Sequence, residues 1–226
     1  TRASAPVVAE PSRSAPIDTT VTCDSFVRDL GLSREAAALI RGSLALHRGR
    51  VVRWRSGRGS IQVWIQTPPG VGRSNPDHTA DRLRAVVVAL DHWSGTNPGV
   101  RFEIGSDSAA ADLRVHWMLE LPNREDAPRN RSTGRSGLET DPATGEILTA
   151  TVMLAEIDRA GREIPLDDIH MVAGHEVGHS LGLAHQTEAR SAMQPTVRID
   201  GATNDDRAAV RAWYALPLGR VCRPSV

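Results

Sequence analysis

The sequence contains no lysine: all 27 of its basic residues are arginine, and 27 Asp and Glu balance them to a formal net charge of zero. Without surplus positive charge there is no electrostatic footprint for nucleic acid or for an anionic membrane surface, and both partners are excluded on that ground. Long hydrophobic runs are missing as well. The longest apolar stretches, Ala85–Leu90 and Thr151–Ala155, fall far short of the ~18 residues a membrane span needs. Cysteine is nearly absent. Cys23 and Cys222 stand near opposite ends with no CxxC pattern, which removes a cysteine-pair metal site. In an exported chain such a pair most often forms one disulfide, here closing a loop of about 200 residues. Aromatic residues make up only 4% of the chain, and Trp54, Trp64, Trp93, Trp117 and Trp213 are expected to lie in the core more than in a substrate groove.

What is present fits a folded domain. The chain has 226 residues, 40% hydrophobic and 24% charged, which suits one domain with an extension and excludes collagenous or wholly disordered classes. Residues 1–22, rich in Ala, Pro and Ser and lacking an apolar h-region, read as a disordered linker left after removal of a leader. Secretion, or residence in the cell envelope or periplasm, is inferred from that reading. Residues 23–49 read as a short helical segment, either a pro-segment or a docking extension, with Ser33 as N-cap of REAAALIRGSLALH. Residues 50–226 read as the main domain.

Within that domain, Ile61, Val63 and Ile65 alternate with polar neighbours as a half-buried strand does. A helix is expected over 79–94, with Leu83, Val86, Val87, Leu90 and Trp93 on its inner face. Strands follow at Val100–Ile104 and Leu113–Trp117, then a polar loop over 119–137, a turn at TDPATGE and a strand at Ile147–Leu154. Helices are expected at 166–181 and 204–214, the latter capped by Asn204 or Asp205. The run Arg48, Arg50, Arg53, Arg55 and Arg58 reads as a solvated strand edge, and His47, His78, His92, His116 and His170 lack ligand spacing.

One stretch carries chemistry. Residues 174–186 read GHEVGHSLGLAHQ, in which His175 and His179 are one helical turn apart and project from one face toward one ion. Glu176 points off that axis, where its carboxylate can hold the water such a site activates. Gly182 is free to end the helix in a left-handed turn that returns His185 to the ion. Three neutral imidazoles with one open position describe a catalytic zinc site, since a closed structural site has four protein ligands. Eight residues beyond His185, Met193 is placed to floor the three rings.

This extended motif followed by a Met-turn resembles the metzincin metallopeptidases. Within them the chain is similar to the matrixins and their bacterial relatives, through Ala192-Met193-Gln194-Pro195, the wall segment Thr196-Val197, Asp205-Asp206 and Trp213-Tyr214. The likeness covers about three quarters of the chain. It implies an α+β metzincin-type zincin fold: a twisted, mostly parallel sheet with an antiparallel edge strand, a long backing helix, an active-site helix and a C-terminal helix. It further implies a zinc endopeptidase acting on protein or peptide, with Glu176 as general base and Pro195, Thr196 and Val197 beside the substrate pocket; separately from the resemblance, a monomer is expected. Substrate would pair with an edge strand, for which Ile147–Leu154 is the candidate.

Gln186 stands where matrixins usually have Ser, and residues 118–169 hold no His, so a second, structural zinc is not expected. Glu139, Asp141 and Asp158 offer carboxylates to calcium, against a plainer reading as solvated side chains. In the family a pro-segment cysteine can cap the zinc, which gives Cys23 an alternative to pairing with Cys222. Two other functions stand beside the endopeptidase: a zinc-bearing binding module without hydrolysis, which retention of Glu176 argues against, and a narrow hydrolase of small amides or peptides with 119–137 as a cover.

Overall fold

The computed structural model describes residues 20–70, 76–97, 100–122, 133–187, 190–196 and 198–224. Most of the expected linker, the middle of the 119–137 loop and Val197 lie outside them. Two helices open the chain, α1 (Cys23–Arg28) and α2 (Arg34–Leu46). Thr22 and Ser33 cap them through their side chains. In α2, Leu39, Ile40 and Leu44 are fully buried. At about 2 kcal/mol for each such side chain, they hold α2 against the C-terminal helix as part of one continuous core.

A two-residue strand β1 (Arg50–Val51) leads to β2 (Ile61–Ile65), and the long helix α3 (Pro76–Trp93) follows. Its buried face is Arg82, Ala85, Val86, Ala89, Leu90 and Trp93, while Val87 is exposed. Val87 was among the residues expected on the inner face and Arg82 was not; Arg82 is admitted because it donates to the Glu163 carboxylate and the Ile164 carbonyl. The next strands are β3 (Phe102–Ile104), β4 (Leu113–Met118), β5 (Gly134–Thr140) and β6 (Ile147–Ala155). They form a five-stranded sheet in the order β3-β2-β4-β6-β5, parallel except for β5, which runs antiparallel to β6. This is the α+β fold that the motif implied.

Two expectations are corrected here. Ile147–Leu154 is not an edge, because β6 pairs with β4 on one side and β5 on the other. The edge on that side of the sheet is β5, in a stretch read as loop and turn. Only Leu138 among its seven residues is a large apolar side chain, so no alternation betrays it; its ladder to β6 makes the strand.

Helices α4 (Leu166–Ser180) and α5 (Asn204–Ala215) complete the domain, with α4 lying along α3 and β5. The cap of α5 is Thr203, not Asn204 or Asp205: its hydroxyl accepts from the Asp206 N–H while the Asp206 carboxylate accepts from the Thr203 N–H. Strand β7 (Gly219–Arg220) then pairs with β1. Trp54, Trp93, Trp117 and Trp213 are buried as expected, and Trp64 is half-buried. Arg53 departs from the solvated-edge reading, since it is buried with its guanidinium donating to the carbonyls of Trp54 and Leu216.

Cys23 and Cys222 form a disulfide, so Cys23 is not a free thiolate able to cap a metal. The closed loop spans a separation of 199 residues. Replacing both cysteines by serine is expected to lower the unfolding free energy by about 2–5 kcal/mol, mainly by freeing the unfolded chain. Denaturant titration of wild type and variant checks this; coincident curves would mean that the ends are held by packing alone.

Candidate active site

The site is built on the second half of α4. His175, Glu176 and His179 follow from its helical spacing, and the helix stops at Leu181. Gly182 then adopts φ +89° with its α-carbon so close to the Val52 carbonyl that a β-carbon would lie 1.9 Å from that oxygen. Only glycine fits this turn. It reverses the chain and brings His185 back over α4: His175 Nε2 lies 3.0 Å from His179 Nε2 and 3.1 Å from His185 Nε2. The three expected ligands are thus brought together, with donor atoms within 4.8 Å of one another.

Each of the two helical imidazoles is oriented by a backbone carbonyl. His175 Nδ1–H donates to Ala192 O and His179 Nδ1–H to Leu183 O, both at 2.7 Å. This fixes the tautomer, because a carbonyl can only accept, and leaves the Nε2 lone pairs bare. Burial keeps both rings neutral, pushing His175 down to about 4 and His179, with His175 beside it, down to about 3; His185 is lowered for the same reason. Bare nitrogen lone pairs about 3 Å apart repel one another unless a cation lies between them. Neutral imidazoles facing one point fit a borderline transition metal such as zinc, and fit calcium or magnesium poorly.

Glu176 is buried and faces β5. Its carboxyl is pushed up to about 7 by burial, opposed by a hydrogen bond from Ser136 and the charge of Arg135. Gly134 makes room for it, since a β-carbon there would come within 2.8 Å of Glu176 Cγ and 2.4 Å of Val172 Cγ1. Gly134 and Ser136 were missed in the sequence, because the strand that carries them was read as loop.

Met193 is fully buried, its sulfur against Gly178 of α4. The turn that carries it is tied to α5 by Asp206, whose carboxylate accepts from Ser191 Oγ at 2.5 Å and from the Ala192 N–H at 3.0 Å. Pro195 and Thr196 follow on the surface. On the opposite side, α2 grips the third-ligand turn: Ser43 Oγ accepts from the Ala184 N–H, and His47 Nε2 lies 3.0 Å from Gly182 O. Trp54 and Trp93 donate to the Ser180 and Gly174 carbonyls and so clamp both ends of the motif helix. Asp141 and Asp158, offered above to calcium, cap their own turns by accepting from the N–H groups of Ala143 and Ala160.

These features define a metallopeptidase-type centre on a mixed sheet, and comparison with known proteins assigns it to a family. The chain belongs to the matrixins, whose family model matches residues 71–215, from just before α3 to the end of α5. Among curated proteins it is similar to interstitial collagenase of Oryctolagus cuniculus, 27% identical over 138 residues that cover 60% of this chain and 28% of the relative. It is 29% identical to metalloendoproteinase 1-MMP of Arabidopsis thaliana over 133 residues, 56% of this chain and 36% of the relative. Interstitial collagenase of Sus scrofa is 24% identical over 176 residues, 76% of this chain and 35% of the relative. The alignments thus span about a third of the length of these relatives.

Proposed function

We propose that this matrixin is a secreted or cell-envelope zinc endopeptidase that hydrolyses peptide bonds in proteins or peptides, acting as a monomer. The observation that carries the proposal is the meeting of three neutral imidazole Nε2 atoms over the helix that also carries the buried Glu176. His175, His179 and His185 would hold zinc, which supplies a Lewis acid and makes water a nucleophile at neutral pH. Glu176 takes the proton of the attacking water on a carboxylate oxygen and delivers it to the departing amine nitrogen. Gly134 and Ser136 set the position of that carboxylate. Gly182 brings in the third imidazole, and Met193 keeps the floor beneath the rings dry. An extended substrate would add a strand to the free edge of β5, the strand that already contacts Glu176, and so lie across the centre. Pro195, Thr196 and Val197 would border the side-chain pocket. No role is assigned to calcium.

Residues 23–49 are proposed as a docked extension of the catalytic domain and not as a latency segment. Support comes from the apolar face of α2 within the shared core and from the bonds of Ser43 and His47 to the turn before His185.

Purified intact chain is expected to cleave an unfolded protein such as casein, to stop on chelation, and to recover when about one equivalent of zinc is restored. Recovery without removal of residues 1–49 supports the docked reading as well. A chain that holds zinc at this centre and cuts neither casein nor short peptides would instead be a binding module. Cleavage of short peptides alone would favour the narrow hydrolase.

A further inference from the structure

Away from the catalytic centre, three side chains that share no sequence motif come together. His92 lies at the end of α3, His170 near the start of α4, and Asp200 in the loop between the Met193 turn and α5. One donor atom from each lies within 4.8 Å of the other two. His170 Nδ1 is 3.1 Å and His92 Nδ1 is 3.9 Å from the same oxygen, Asp200 Oδ1. The two rings are 5.2 Å apart and inclined by 34°. Sequence spacing gave no reason to group these histidines, because the first two stand 78 positions apart with the strands β3 to β6 between them.

The cluster is incomplete as a set of hydrogen bonds. His92 Nδ1, which faces Asp200 Oδ1, is enclosed yet has no hydrogen-bond partner. Leaving a buried ring nitrogen without a partner is costly, so such a site is expected to have something to offset that cost. The backbone also presses on it. Gly201, next to Asp200 in the chain and at φ +78°, packs so close to the His92 ring that a β-carbon there would sit 2.6 Å from Nδ1.

We propose that His92, His170 and Asp200 form a second transition-metal site, selective for zinc-like divalent ions and separate from the three-histidine centre. Two imidazoles and one carboxylate are ligands that zinc accepts, and donors around a tetrahedral zinc stand roughly 3.3 Å apart. The 3.1 Å pair meets that spacing, and the 3.9 Å pair needs only a small closure. Two nitrogen donors disfavour calcium and magnesium. The Asp200 side chain is 59% exposed, which leaves the ion open to water and to exchange. Its role is mechanical: the ion ties the loop behind Pro195 and Thr196 to both α3 and α4, fixing one wall of the cleft to the helix that carries His175 and His179.

This site does not depend on the catalytic proposal, and zinc counting separates the two. Chelated protein is reloaded with zinc at pH 8, dialysed, and its bound metal measured by elemental analysis. Wild type is expected to retain two zinc ions per chain. The exposed substitution Asp200→Asn, chosen because it should not disturb folding, and His170→Ala should each retain one. A variant lacking the other centre, His179→Ala with His185→Ala, should also retain one, and zinc should raise its melting temperature by several degrees, an increase that adding Asp200→Asn removes. One zinc in wild type, or two in Asp200→Asn, overturns the assignment and leaves the cluster as a paired-histidine contact around a carboxylate.

Discussion

Glu176→Gln is expected to reduce kcat for casein hydrolysis by about 10²–10⁴-fold, the usual contribution of a general base, with KM and zinc content nearly unchanged. The substitution is close to isosteric, so the space left by Gly134 stays filled and α4 is not disturbed. The carboxylate is buried beside β5 and contributes no nitrogen to the three-histidine cluster. Its removal therefore takes away proton transfer and leaves the donor set complete. At about 1.36 kcal/mol per tenfold, the loss amounts to about 3–5 kcal/mol of transition-state stabilisation. Steady-state kinetics beside metal analysis checks the split. Retained activity would dismiss Glu176 as the base, and loss of zinc would show that the residue acts through the metal site's integrity.

The second large effect is expected at Gly182. Gly182→Ala places a β-carbon 1.9 Å from Val52 O, in a backbone conformation that L-residues rarely adopt. That oxygen is held, because it also accepts from Trp213 Nε1 at 2.9 Å, so the turn must give way in place of its neighbour. Opening the turn moves His185 off the other two rings and pulls Gly182 O from His47. Zinc affinity should fall by at least about 10–100-fold, the loss seen when a ligand's support is removed, and stability by about 2–4 kcal/mol. Gly174→Ala is the matched control on the same helix, since a β-carbon there meets nothing within 4 Å. It should be neutral or slightly stabilising, by up to ~1 kcal/mol from helix propensity. Competition with a chromogenic chelator and thermal melts would read both; equal behaviour of the two variants would sink the turn argument.

The ligand turn was legible because every part of it is local: the helical spacing of His175 and His179, a glycine stop, and a third histidine within reach of the reversal. Strands β2, β4 and β6 were legible for the same reason, carrying their apolar residues in period. Edge strand β5 was not, because its identity lies in backbone pairing with β6 and its side chains are small or polar. Arg82 and Arg53 went inside against expectation because carbonyls and a carboxylate distant in sequence satisfy them. The grouping of His92, His170 and Asp200 is of this kind as well, created only when α3, α4 and the loop after Met193 are packed together.

The bond between Cys23 and Cys222 turns most of the molecule into a covalent ring. A protease at high local concentration is exposed to its own activity, and surface loops are where such cuts fall. In a ring, a single cut at any position between the two cysteines opens the circle and releases no fragment, so both halves stay at high effective concentration around the shared core. A once-nicked molecule should run as full length without reductant and as two pieces with it, and it can keep its active-site geometry where a linear chain would come apart.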